Sequence, residues 1–134
     1  MKKTIKIVSV LTIVLLLSAF SINKNIDRSG YQVGDIATDF KLMNIDGNMV
    51  SLADFKNAKG FIVIFTCNTC PYAVAYEDRV EALNKKYVDQ GYPVIAIMPN
   101  NTDVKPGDRF ESMQARAKAK GFTFPYLMDE GQKV

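Results

Sequence analysis

Two five- to six-residue stretches of the chain are apolar at nearly every position, and a helical pattern separates them. Residues 61–65 (Phe-Ile-Val-Ile-Phe) and 93–98 (Pro-Val-Ile-Ala-Ile-Met) are rich in β-branched side chains, as strands buried on both faces are. Between them Tyr76, Val80, Leu83 and Tyr87 recur at helical spacing, while Glu77, Asp78, Glu81, Lys85 and Lys86 fall on other faces. That predicts an amphipathic helix over 71–89, with Pro71 in its first turn and Gly91 ending it. Strand, helix and strand joined by so long a crossover predict a parallel pair with a right-handed connection.

Upstream, 40–43 and 49–52 read as short strands joined by a turn at Ile45-Asp-Gly-Asn48, where Gly47 takes the positive φ. Ser51 and Asp54 have capping-box spacing, with Asp in place of the usual Glu or Gln. Downstream, 100–107 is a loop in which Asn100 and Asn101 read as turn residues. A second helix is predicted over 109–120, with Phe110, Met113 and Ala117 along one side and Gly121 as its cap. Residues 122–128 read as extended, and 129–134 as a loop opening a further helix. The class is α/β.

The amino-terminal pattern is different. Lys2, Lys3 and Lys6 lead into an apolar run over 7–20. As a helix, that run rises only about 21 Å, against a hydrocarbon core of roughly 30 Å. Residues 1–22 therefore read as a signal peptide or, if uncleaved, a membrane anchor. A polar linker covers 23–30 and the domain 31–134. The expected location is outside the cytoplasm: the periplasm, or the outer face of the cytoplasmic membrane. Membrane contact is expected only through this segment.

Charge adds to the same division. The chain has 17 basic and 14 acidic residues, and setting aside the three leader lysines leaves 14 against 14. That balance gives no footprint for a nucleic-acid partner. Histidine is absent, which removes Ser-His and Cys-His nucleophile pairs and His-ligated metal sites.

The chemistry concentrates in Cys67 and Cys70, the only two cysteines, which directly follow the first apolar strand. Two thiols so close can act as a dithiol/disulfide couple, and a helix N-terminus favours the attacking thiolate. With a helix starting near Asn68, Cys67 becomes the capping nucleophile and Cys70, one turn in, the resolving thiol. Thr66, Asn68, Thr69, Pro71 and Tyr72 are expected to line the site, although Tyr72 suits the core equally. Tyr76 is expected in the core. The scattered methionines read as packing. Other readings stay open: a disulfide staple, two unrelated core cysteines, or a Cu(I) carrier using two soft thiolates.

Residues 33–40 (Val-Gly-Asp-Ile-Ala-Thr-Asp-Phe), Asp46-Gly47, Val50-Ser-Leu52, Cys67-Asn-Thr-Cys-Pro71 and Phe124-Pro-Tyr-Leu-Met-Asp129 together resemble the redoxin branch of the thioredoxin-like superfamily. That branch holds the AhpC/TSA peroxiredoxins and the exported TlpA/ResA-like thiol–disulfide oxidoreductases. The resemblance implies a central sheet flanked by helices, preceded by a β-hairpin extension. It also implies exchange with protein disulfides or thiols and an unspecified redox donor, with no metal or organic cofactor. Three departures stand out. The cis-proline loop, C-terminal β-hairpin and last helices of such proteins are expected beyond Val134, so the fold is expected to be incomplete, to leave a buried strand as an open edge with uncovered apolar surface, and to be unstable alone. The buried acid that many relatives use is replaced by Phe61 or Ala73, leaving proton relay to water, Thr66, Tyr72 or an acid outside the chain. Ile64, three residues before Cys67, lacks the hydroxyl of a peroxidatic site, which makes thiol peroxidase the weaker alternative.

Overall fold

The computed structural model describes residues 30–134. The predicted leader and nearly all of the predicted linker lie outside the described residues. Residues 30–37 belong to a separate unit, in which the Asp35 carboxylate accepts the Gln32 N–H at 2.7 Å.

The unit Thr38–Val134 is a five-stranded sheet with two main helices. Its strands are β1 (Lys41–Asn44), β2 (Met49–Ser51), β3 (Ile62–Phe65), β4 (Val94–Met98) and β5 (Tyr126–Met128). The helices are α1 (Pro71–Tyr87) and α2 (Phe110–Lys120). Across the sheet the order is β2-β1-β5-β4-β3. β3, β4 and β5 run parallel, and β1 pairs antiparallel with both β2 and β5. The β1–β2 hairpin turns at Gly47, whose φ of +85° is open to glycine at no steric cost. Asp54 closes back on the Ser51 N–H at 2.8 Å, as its spacing predicted.

β4, between β5 and β3, is buried at all five positions. Val94, Ala96 and Met98 face a cluster with Met113, Ala117, Phe124 and Tyr126, against which Val80 and Leu83 of α1 pack. Ile95 and Ile97 face the other way, onto Leu42, Leu127, Phe55 and Phe61. An unbroken apolar run thus reports a strand with cover on both sides.

β3 shares that composition but not that environment. It is the last strand of the described sheet, and Val63 and Phe65 are 41% and 55% exposed. Only Ile62 and Ile64 pack against the core. The run is not buried on both faces, because composition does not say where in the sheet a strand lies; a strand of buried type left as an open edge with uncovered apolar surface is what an incomplete fold is expected to show.

α1 departs from prediction as well. Its buried residues are Glu77, Glu81 and Asn84, each satisfied from a neighbouring element. Arg116 of α2 forks onto Glu77 at 2.6 and 2.8 Å. Glu81 accepts the Thr123 N–H and hydroxyl at 3.0 and 2.8 Å. Asn84 accepts the Val94 N–H at 3.0 Å. These partners come from far along the chain, so helical spacing alone placed Glu77 and Glu81 on solvated faces. Tyr76, expected in the core, is 54% exposed, with Arg79 over its ring at 4.9 Å.

Candidate active site

The cysteines sit at the carboxyl end of the parallel strands, where β3 passes into α1. The Thr66 N–H extends the ladder by one bond to the Ile97 carbonyl, at 2.9 Å. The chain then leaves the sheet as a short loop through Cys67, Asn68 and Thr69. It enters α1 at Pro71, which suits a first helical position because its missing N–H has no intrahelical partner there.

The N-cap is therefore Cys70, not Cys67 as the sequence predicted. Proline accounts for the difference, since it favours extended backbone in the residue before it. Cys70 has φ −79° and ψ 120°. Both sulfurs are free thiols and both cysteines are half-buried. The N–H groups of Ala73 and then Tyr72, in the first turn of α1, hold the Cys70 thiol below the ordinary value, and the Cys67 thiol donating toward it acts the same way. Burial and the Asp108 carboxylate oppose that shift. Cys67 packs against the core cluster beneath the loop. The helix terminus thus stabilises an anion at Cys70.

The loop between the cysteines is held from outside. Asp108, fully buried at the end of a tight helical turn (Pro106–Asp108) before α2, accepts four hydrogen bonds. Its Oδ1 takes the backbone N–H of Asn68 at 2.7 Å and of Thr69 at 3.1 Å. Its Oδ2 takes the Thr69 hydroxyl at 3.0 Å and the Asn100 amide at 2.7 Å. The Asn68 side chain donates to the Gly107 carbonyl at 3.2 Å and accepts the Tyr126 hydroxyl at 3.0 Å. Burial first, then the Asp108 carboxylate and Cys67, push the Tyr126 phenol well above its ordinary value, so it stays a neutral donor.

The residues expected to line the site are thereby sorted. Asn68 and Thr69 form the loop, Thr66 precedes it, and Pro71 and Tyr72 open the helix. Tyr72 is 81% exposed, so it is not core. It lines an apolar groove of about 590 Å³ with Phe65, Thr66, Tyr76 and Leu83. Among the described residues no three Cys, Asp or Glu side chains converge as metal ligands.

Asp108, Asn100, Gly107 and Tyr126 were not foreseen. A buried acid does lie beside the pair, within the chain, although both positions considered from the sequence hold apolar residues. An Asp after Pro-Gly and before a helix reads as a local cap, and nothing in its spacing points to a loop some forty residues away. Asn100 does more than turn the chain, because its amide reaches Asp108.

The AhpC/TSA family matches residues 33–134. The thiol-disulfide oxidoreductase ResA of Halalkalibacterium halodurans is 26% identical over 94% of this chain and 68% of its own length. A hypothetical protein from Sinorhizobium meliloti 1021, known from a crystal structure, superposes with a TM-score of 0.74 at 35% identity. That match covers 79% of this chain and 58% of the other. A thioredoxin family thiol:disulfide interchange protein from Chlorobium tepidum TLS shares the fold, with a TM-score of 0.57 at 22% identity over 69% of this chain and 58% of that one. The chain thus spans 58% to 68% of these relatives' lengths. With its α/β sheet and its dithiol at the start of α1, the chain belongs to the AhpC/TSA family, in the thioredoxin-like redoxin branch.

Proposed function

We propose that the chain is a thiol–disulfide oxidoreductase that uses Cys67 and Cys70 as a dithiol/disulfide couple on exported protein substrates. One observation carries the reading: two free thiols three residues apart in the loop from β3 into α1, one of them at the N-cap position of a helix whose first-turn N–H groups hold its thiol below the ordinary value. The similarity to ResA proteins supports protein thiols and disulfides as the substrate class. The apolar groove beside the loop suits a polypeptide client. The lysine-headed apolar run at the amino terminus supports export.

In the reducing direction the Cys70 thiolate attacks one sulfur of a client disulfide. A mixed disulfide forms and the client's other sulfur leaves as a thiolate. Cys67, after losing its proton, attacks the Cys70 sulfur, closing the Cys67–Cys70 disulfide and releasing the second client thiolate. Two electrons pass to the client, and an external dithiol restores the pair. Cys70 takes the attacking role that the sequence had given to Cys67, because the helix cap lies at 70 and Cys67 packs against the core.

The test is reduction of insulin disulfides by the full chain with dithiothreitol as donor. Catalysis is expected from the native protein and from neither single Cys→Ser variant, with Cys67→Ser accumulating the mixed disulfide through Cys70. Hydroperoxide turnover that survives Cys70→Ser but not Cys67→Ser would instead establish the peroxidase alternative.

A further inference from the structure

A dithiol loop has two backbone N–H groups of its own, here those of Asn68 and Thr69, that can turn toward the first sulfur. In this protein neither is left to do so. Both donate to one oxygen of Asp108, at 2.7 and 3.1 Å, and the other oxygen holds the Thr69 hydroxyl and the Asn100 amide. With four donors on two oxygens, the carboxylate is saturated. It acts as a fixed anchor for the loop. The approach is close enough to require glycine next to it: a Cβ on Gly107 would lie 2.5 Å from the Thr69 γ-methyl.

We propose that Asp108 is the positioning residue of the dithiol: by occupying both loop N–H groups it fixes the Cys67–Cys70 geometry, confines anion stabilisation to the Cys70 end, and biases the pair toward the disulfide. The bias follows from the sign of its charge. A reduced pair gains stability when its thiolate is stabilised, which makes a strong oxidant. A buried anion beside the sulfurs, holding donors that would otherwise serve them, works the other way. Its charge opposes the thiolate at Cys70. The other titratable groups nearby do not offset it. Tyr126 remains neutral, and Glu77 is neutralised by the Arg116 fork.

The consequence for redox poise rests on the dithiol reading above, whereas the clamp itself does not. Two substitutions separate charge from anchoring. Asp108→Asn keeps an oxygen for the two N–H groups and removes the charge; Asp108→Ala removes both. Two readouts are taken on the full chain: the pH midpoint of iodoacetamide alkylation at Cys70, resolved by peptide mass, and the equilibrium with glutathione. In the latter, dithiol and oxidised glutathione give the Cys67–Cys70 disulfide and two reduced glutathiones.

Asp108→Asn is expected to lower the Cys70 midpoint and to shift the glutathione equilibrium toward the dithiol by about tenfold, roughly 30 mV for a two-electron couple. Asp108→Ala is expected to shift both further. A lower melting temperature with an unmoved midpoint and an unmoved equilibrium overturns the proposal, because a merely structural residue gives that result. If the alanine variant fails to fold, the isosteric asparagine decides alone. If the native chain forms no internal disulfide with glutathione, the oxidoreductase reading fails, while the Cys70 midpoint in Asp108→Asn still tests the clamp.

Discussion

Gly107→Ala measures how tightly the cysteine loop is clamped. The added methyl carbon would meet the Thr69 γ-methyl at 2.5 Å, and ordinary contact begins at 3.4 Å, so one side must yield by about 0.9 Å. Thr69 has two ways to yield. Rotating its side chain breaks the hydroxyl bond to the buried Asp108 carboxylate, at 3.0 Å, and hydrogen bonds to charged groups contribute about 1.5–3 kcal/mol. Keeping the rotamer pushes the loop outward, an overpacking cost of about 1–3 kcal/mol. The loss of glycine's unfolded-state freedom returns about 0.4–1 kcal/mol. A net destabilisation of about 1–2 kcal/mol is expected from the urea unfolding midpoint. Thr69→Ser removes the offending methyl and keeps the hydroxyl, so Gly107→Ala/Thr69→Ser should recover about 1 kcal/mol of that loss. Strictly additive effects of the two substitutions, or a neutral Gly107→Ala, would refute the close packing of turn and loop.

Other elements give independent tests. Arg116→Ala removes the two-bond fork on the buried Glu77 carboxylate and leaves it Lys120 at 3.5 Å, so it should cost about 1.5–3 kcal/mol; Arg116→Ala/Glu77→Ala should cost less than the sum of the two, read by urea unfolding. Burial raises the Glu81 carboxyl, but the Thr123 N–H and hydroxyl and Lys85 outweigh it and hold the group below the ordinary value. A depressed folded-state value adds stability above the unfolded-state value of about 4.5, lost as pH falls through the folded value. Glu81→Gln should therefore cost about 1–2 kcal/mol at pH 7, and the gap to the native protein should close in acid unfolding as pH falls below the ordinary carboxylate value of about 4.5. Ile97→Ala on β4 should cost about 2–5 kcal/mol, and Val63→Ala on half-covered β3 under about 1 kcal/mol; equal losses would contradict the edge position of β3.

Local pattern carried most of the fold. The helices lie within two residues of their predicted spans, because periodicity, Pro71 and Gly121 are properties of neighbouring residues. The parallel β3–β4 pair followed from crossover length. What periodicity could not supply was the environment of each face. Phe61 to Phe65 and Val94 to Met98 read alike, yet only β4 has a strand on each side and cover on both faces. Glu77 and Glu81 looked solvated because their partners, Arg116 and Thr123, sit about forty residues downstream. The site divides the same way. The placement of Cys67, Cys70 and the loop residues between β3 and α1 was legible from spacing. The cap position was missed by three residues, which puts Cys70 and not Cys67 at the helix N-cap. Asp108, Asn100 and Tyr126 reach the loop only through tertiary packing, and single-sequence spacing holds no record of that.

The dithiol itself is tested most directly by mapping disulfides after equilibration of the full chain in graded glutathione buffers. The expected result is an intramolecular Cys67–Cys70 bond that forms and is lost reversibly with the buffer ratio, together with a glutathione or client adduct on Cys70 when Cys67 is changed to serine. Two thiols that stay reduced across the whole range, or that pair only between molecules, would contradict it.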